Sequence, residues 1–409
     1  MKYSIHTTRQ HRRRVWLITS VFFATLVIVF GLYMLLAHAN KSTGLPHTQQ
    51  RQRAKQTSKT LGADIQSRLL FVGDVMWGRL VQRHAEQSGK GYAYLTSGLT
   101  RDDRNQYDAW IANFECPITT KDVPYELQVS ILKFNCRPEY LPNLAKWFTA
   151  VSQANNHTMN VDGQWGIEQG RKHLDAAGIQ YFGNYDMTKL NDICEVISMP
   201  AHVAQTGKKV TMPVALCGYM QVVNVAPSDE QLAVMHRYSK VMPVIAMPHM
   251  GVEYRSTAEP EKNNAYRRMI DAGADAVIAA HPHVVQNSEV YKGRLIAYSL
   301  GNFLFDQQSV GPESTRGLGV GITLKVSDAQ AAALYRKIAP SCQKFHDTCL
   351  TSLTAQLPKR PKISVSYPFS CYDESRAVGS VPHLATKQVC DVIKREGTID
   401  RLKNLSREW

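Results

Sequence analysis

The sequence predicts an α/β fold, layered, flanked by helices and preceded by one transmembrane helix, on three observations. From residue 68 onward, short apolar runs of strand length alternate with helix-length stretches, which is the βαβ pattern. Five of those runs end in residues able to hold a cation: Asp74, Asn113 with Glu115, Asn156, His249, and His281 with His283. Ahead of them, residues 15–39 form an apolar run without an Asp, Glu, Lys or Arg.

The 409 residues are 44% apolar and 20% charged, ordinary for a globular chain. The formal charge of +14 is unevenly placed. Residues 1–68 carry eleven Lys/Arg against the single acid Asp64, so ten of the fourteen excess positive charges sit there. The excess belongs with a membrane segment rather than with nucleic-acid recognition. No zinc-finger spacing or aromatic RNA-binding pattern accompanies it, so no nucleic-acid partner is expected.

Residues 1–14 read as a basic cytoplasmic terminus. Residues 15–39 read as a single-pass anchor in the cell membrane, since roughly 20 apolar residues cross a bilayer core. Arg12, Arg13 and Arg14 would stay inside and send the rest to the periplasmic or extracellular side. The alternative is a cleaved signal peptide, with Ala37-His38-Ala39 as its cleavage site. Residues 40–67 are polar and basic, too poor in apolar groups to pack, and are expected to form a flexible stalk.

The main domain is expected over residues 68–328. Residues 69–72 form its first strand. Gly73 permits close backbone approach, and Asp74 follows as a cation ligand or as the cap of the next helix. Residues 107–113 form a second strand, and Asn113 and Glu115 alternate onto one face at its end. Residues 150–154 form a third, followed by an amide and an imidazole, Asn156 and His157. A helix over 163–177 closes at Gly178, and 179–183 begins another strand. Residues 209–219 read as strand, with Pro213 kept from a central position. Residues 241–247 form a buried strand leading to His249, with Glu253 just beyond.

A helix over 259–272 closes at Gly273, and the strand 276–280 runs into His281-Pro282-His283. The proline makes that turn rigid, so both imidazoles can face one point. Residues 295–306 make a strand–turn unit and 317–326 a further strand. Residues 329–409 form an extension with helices near 331–338 and 386–395. Eight cysteines fit an oxidising compartment. Cys116 with Cys136, Cys342 with Cys349 and Cys371 with Cys390 are candidate pairs. At least one disulfide is expected in the tail, with connectivity open.

Asp74, Glu115 or Asn113, Asn156, His249, His281 and His283 all fall where open α/β sheets gather ligands. Carboxylate, amide and imidazole together suit a divalent first-row metal such as Mn, Fe or Zn. The set is large enough for two ions bridged by one carboxylate. His157 is left to stabilise or protonate a reacting group. Glu253 would orient His249 or bind metal itself. The bland alternative, helix caps and core histidines, would have to hold six times at one place.

In order along the chain, Gly73-Asp74-Val75-Met76-Trp77-Gly78-Arg79, Asn113-Phe114-Glu115-Cys116-Pro117, Ala154-Asn155-Asn156-His157, His249-Met250-Gly251-Val252-Glu253-Tyr254, His281-Pro282-His283 and Ser299-Leu300-Gly301-Asn302-Phe303 resemble the CapA family of bacterial capsule or poly-γ-glutamate biosynthesis proteins. The resemblance covers about residues 69–310. It implies a metallophosphoesterase-like (calcineurin-like) fold, a layered β-sandwich flanked by helices. It also implies Asp74, Glu115, Asn156, His249, His281 and His283 as metal ligands and His157 as the residue beside the scissile group.

Two positions depart from metallophosphoesterases. Met76 stands where their Asp-x-His pattern has histidine, and Asn113-Phe114-Glu115 stands where they carry a Gly-Asp pair. The function implied is a membrane-anchored, metal-dependent hydrolase or transferase of surface-polymer assembly, acting on a phosphoester or amide bond. Its partners would be the membrane, the polymer (polyglutamate or polysaccharide) and other membrane subunits of a synthase or exporter. The alternative is a non-catalytic assembly or polymer-binding component of the export complex.

Overall fold

Strand β1 (Ile65–Val75) is apolar on both faces. Leu69 and Phe71 enter one core cluster, while Leu70, Val72 and Val75 enter a second. A strand of this kind must be covered on both sides, and β1 accordingly lies inside the molecule. The computed structural model describes residues 64–222, 226–342, 346–374 and 381–409. The expected basic terminus, the anchor over 15–39 and the stalk to residue 63 lie outside the described residues. Among the described residues no helix is long and apolar enough to cross a membrane.

Beside β1, strands β2 (Ala109–Phe114), β3 (Ala150–Ser152) and β4 (Gln180–Phe182) follow one another in parallel. Strands β5 (Cys194–Val203) and β6 (Lys209–Met220) form an antiparallel pair. From β6 the sheet continues in parallel through β7 (Val244–His249) and β8 (Ala276–Ile278). Strand β9 (Ser288–Tyr291) is the outer strand beyond β10 (Arg294–Ala297), which is parallel to β8. Strand β11 (Asn302–Leu304) lies parallel to the end of β1, and β12 (Arg316–Val326) runs antiparallel to its body. Strands β13 (Ile363–Ser366) and β14 (Phe369–Asp373) both pair with β12, and β15 (His383–Leu384) pairs with β14.

All fifteen strands among the described residues belong to one hydrogen-bonded mixed sheet. Strand β1 is its junction: Ile65 and Gln66 pair with β5, while Leu69 to Phe71 pair with both β2 and β12. The chain beyond residue 329 thus adds strands to the same sheet. The first core cluster joins β1 and β2 to β5–β8, β10 and β12, with Ala331, Ala332 and Tyr335 of the helix Ala329–Cys342 packed into it.

Local sequence signals account for several boundaries. The helix Gly163–Ala177 ends at Gly178, whose φ of +76° suits a residue without Cβ. Pro213 lies where β6 pairs only with β5; pairing with β7 starts at Ala215, so the missing N–H costs no ladder bond there. Four disulfides close the chain, Cys116–Cys136, Cys194–Cys217, Cys342–Cys349 and Cys371–Cys390, and no cysteine is free. The three candidate pairs are all formed. Cys194–Cys217 joins directly opposed residues of β5 and β6, with Cα atoms 4.0 Å apart.

Candidate metal centre

The C-terminal ends of β1, β2, β3, β7 and β8 meet at one place, and every sequence-predicted residue is close to it. Asp74 sits opposite Asn113 on β2 and Asn302 on β11. Its backbone N–H donates to Gly301 O at 3.1 Å. That close approach depends on Gly73, because a Cβ there would stand 1.8 Å from Gly301 O. A Gly73→Ala variant is expected to lose ~1–3 kcal/mol or more in urea unfolding, since backbone must move to admit the methyl. Stability equal to wild type would show that the contact is slack.

Asp74 is fully buried. Its Oδ1 accepts from Asn113 Nδ2 at 2.8 Å, and its Oδ2 accepts from the His281 backbone N–H at 3.2 Å. Burial alone would raise its pKa, but the His283 and Asn113 hydrogen bonds reverse the sign and hold it below the usual value. Glu115 is the opposite case. It too is fully buried, and neither carboxylate oxygen has a hydrogen-bond partner among the described residues. Burial, with the negative Asp74 next in effect, pushes its pKa well above the carboxylate range. Its Oε1 faces three imidazoles: His249 Nε2 at 3.4 Å, His283 Nε2 at 3.7 Å and His157 Nε2 at 4.0 Å.

The two histidines of the His-Pro-His turn hold strained backbone. His281 has φ +99° and His283 φ +57°. Conformations of this kind cost on the order of 1–3 kcal/mol each and persist where surrounding structure imposes them. His283 is fixed by Asn302, whose Nδ2 donates to Gln307 Oε1 and Ser314 O, so its Oδ1 must accept from His283 Nδ1, 2.9 Å away. The same Nδ1 lies 3.3 Å from Asp74 Oδ2, which leaves Nε2 as the lone-pair nitrogen turned to Glu115. Burial would lower the pKa of His283, but the Asp74 hydrogen bond and charge outweigh it and raise it.

His249 presents Nδ1 to Asn113 Nδ2 at 3.2 Å, while its Nε2 lies 2.8 Å from Asn156 Oδ1 and 3.2 Å from His281 Nδ1. Asn113 Nδ2 can only donate, so in this arrangement His249 Nδ1 accepts and Nε2 carries the proton. Burial drives His249 well below the usual histidine value and His281 down to about 3, with neighbouring imidazoles adding to both. Among the described residues, three groups of side chains have ligand atoms within 4.8 Å of one another: Glu115, His249 and His281; Asp74, Glu115 and His283; and Glu253, His281 and His283. Glu253 thus lies on the His281–His283 side of the centre. A buried carboxylate with two unpartnered oxygens amid several imidazoles is a donor set that fits a divalent cation.

His157 lies at the mouth. It stacks on Phe134 with ring centroids 3.9 Å apart. Its Nδ1 is 2.8 Å from Asn160 Oδ1, an oxygen that also accepts from the Phe134 N–H. Nδ1 therefore donates, and Nε2 faces the centre with a lone pair. Burial brings the His157 pKa down to about 4. The resting residue is then a proton acceptor, and it could protonate a leaving group only after taking up a proton.

Sequence reasoning missed four residues here. Asn155, next to the predicted Asn156, donates from Nδ2 to Asn113 Oδ1 and Phe114 O and accepts the His157 and Thr158 N–H groups on Oδ1. Asn302 sets the His283 tautomer. Arg79 Nε pairs with the buried Asp306 at 3.1 Å, with its guanidinium 4.9 Å from the Phe134 ring centroid. Arg79 closes the first of the motifs above, but nothing in its spacing announces the pairing with Asp306. Met76 points away: it is fully buried in the second apolar cluster, and its sulfur receives the Gly78 N–H at 3.0 Å.

Residues 68–307 match the profile of a family described as bacterial capsule synthesis protein PGA_cap. A PGA biosynthesis protein CapA of Bacillus subtilis (strain 168) is 30% identical over 269 residues, covering 61% of this chain and 66% of that protein. A capsule biosynthesis protein CapA of Bacillus anthracis is 28% identical over 255 residues, covering 58% of this chain and 60% of that protein. The chain thus spans less than two thirds of either relative. Among solved structures, a proposed 5′-nucleotidase of Staphylococcus aureus in complex with α-ketoglutarate aligns at 13% identity and a TM-score of 0.34, covering 63% of this chain and 51% of that one. At that score the likeness carries no argument.

Proposed function

This chain belongs to the bacterial capsule synthesis family PGA_cap, and from that premise we propose that it is a membrane-anchored, outward-facing component of capsule or poly-γ-glutamate assembly or export, with a divalent-metal site of one or two ions (Mn, Fe or Zn) that hydrolyses or transfers at a phosphoester or amide bond. One observation carries the metal reading: Glu115, buried and without a hydrogen-bond partner on either oxygen, among His249, His281, His283 and Asp74. Asp74, Glu115, Asn156, His249, His281 and His283 are its proposed ligands, with Glu253 as a further one on the His281–His283 side. A metal bound there would act as a Lewis acid on the oxygen of the scissile group. The remaining work falls to the chain's own residues. His157 offers a lone pair at Nε2 for a proton. Arg79, held by Asp306, offers a planar cation to an anionic group entering the site. Phe134 shields one face of both.

The outward placement draws support from the cysteines. All eight are paired, a pattern that persists in oxidising compartments. One observation favours the second reading, a non-catalytic assembly or polymer-binding component: Met76 is turned into the apolar core and supplies no ligand. Turnover separates the two. Full-length protein loaded with Mn should hydrolyse p-nitrophenyl phosphate or γ-glutamyl-p-nitroanilide, and the activity should vanish in chelator and return with metal. Metal-loaded protein inert towards both would favour the assembly reading.

A further inference from the structure

We propose that a basic cleft at the N-terminal ends of β1 and β2 is a second binding site, for an extended, carboxylate-bearing anionic polymer. The cleft encloses about 1020 Å³ and is lined by Arg68, Arg101, Arg104, Lys146, His202 and Lys209, with Trp147 on one side. Asp108 is the one acid in its lining, and its carboxylate is already occupied. Asp108 accepts from the Arg68 backbone N–H at 2.8 Å and from Arg68 Nε and Nη2 at 3.2 and 3.1 Å, and it lies 3.4 Å from His202 Nδ1. Of the nearby acids outside the lining, Asp103 is turned into the cap of its own short helix with Thr100, and Asp102 is exposed. Arg101, Arg104, Lys146 and Lys209 have no carboxylate partner among the described residues. The cleft therefore presents four uncompensated cations in one concavity.

This site is separate from the metal centre. Arg68 and Asp108 precede Asp74 and Asn113 on the same two strands, so at about 3.3 Å per residue the two places are roughly 15–20 Å apart. The cations come from different elements: Arg101 and Arg104 from the short helix Arg101–Asn105, Lys146 from the segment before β3, Lys209 from the start of β6. Arg104 is oriented by its own hydrogen bonds, Nε to Lys146 O at 3.0 Å and Nη1 to Tyr107 O at 2.8 Å. Arg101, Lys146 and Lys209 are exposed and keep their hydration.

Dispersed, hydrated charges suit a ligand with repeated anionic groups, which engages several at once and gains from each further contact. A single compact anion would call for converging, desolvated donors. A bilayer surface is flat, and the half-buried Arg104 and His202 would not reach it. The choice of a carboxylate polymer over another polyanion rests on the function proposed above; the basic cleft itself does not.

The test is a titration of the full-length chain in neutral detergent with poly-γ-glutamate, read by tryptophan fluorescence, Trp147 being within the cleft. The comparison is an Arg101→Glu/Lys146→Glu/Lys209→Glu variant, whose changes are all exposed. Wild type should bind with an affinity that falls steeply between about 50 and 300 mM salt, and the variant should bind at least ~10-fold more weakly. Unchanged affinity in the variant would overturn the proposal. So would tighter binding of phosphatidylserine vesicles or of a single-stranded oligonucleotide than of poly-γ-glutamate. If the triple variant melts below wild type, Lys209→Glu alone is compared, with a smaller loss expected and no loss overturning the site. Metal content, measured on the same samples, should not change, so failure here and failure of the metal reading are told apart.

Discussion

A Glu115→Gln variant should melt higher than wild type in chelator and should gain almost nothing from added manganese. The two halves share one cause. Without metal, the Glu115 carboxylate is buried with neither oxygen hydrogen-bonded and with Asp74 nearby. A buried polar group left without a partner costs on the order of 1–3 kcal/mol, and more when charged. The amide keeps the shape without an ionisable carboxyl whose charged form burial disfavours, so apo stability should rise by ~1 kcal/mol or more. With metal bound, the same carboxylate would serve both of the candidate ligand groups that lack Glu253, as the one side chain common to the two. Wild type at a metal concentration 100 times Kd should gain ~2.7 kcal/mol, and the variant should lose most of that gain. Thermal melts with and without metal read both effects. A variant less stable than wild type in chelator, yet equally stabilised by manganese, would assign Glu115 a structural role alone.

His157→Ala should cost roughly 10²–10⁴-fold in kcat while leaving metal content at the wild-type level. His157 touches the centre only at long range, 4.0 Å from Glu115 Oε1. It is held from behind by Asn160 and Phe134, which fits a group that handles a proton better than one that holds an ion. Asn160→Ala should give a smaller loss of the same kind, because it frees the ring to adopt the other tautomer. If His157→Ala instead released metal, the residue would be a ligand. If turnover were unchanged, the proton would travel by another route.

The positions of the proposed ligand residues were legible because each follows a short apolar run. Strand periodicity and strand ends are local properties, visible in a few neighbouring residues. Thus Asp74, Glu115, Asn156, His249, His281 and His283 could be placed at strand ends without coordinates, as could the helix Gly163–Ala177 and its glycine cap. What organises those residues was not legible. Asn155 and Asn156 are chemically identical neighbours, and only the fold shows that Asn155 ties β2 to the third strand's loop while Asn156 faces His249. The Arg79–Asp306 pair joins residues far apart in sequence.

Strand β5 carries Glu195 and Pro200 and shows no clean alternation, so its pairing with β6, and the Cys194–Cys217 bridge that crosses it, emerge only from register. The extension beyond 329 looked weakly patterned for a related reason. Its strands are two to five residues long and are held by pairing, β13 and β14 on β12 and β15 on β14, more than by their own sequence.

The most direct measurement is elemental analysis of the full-length protein, produced in an oxidising compartment and purified with manganese present, alongside a His281→Ala/His283→Ala variant. The metal-centre reading predicts one to two divalent ions per chain in wild type, about two if one carboxylate bridges a pair, and close to none in the variant. Wild type free of metal, or a variant that retains the wild-type content, would contradict it.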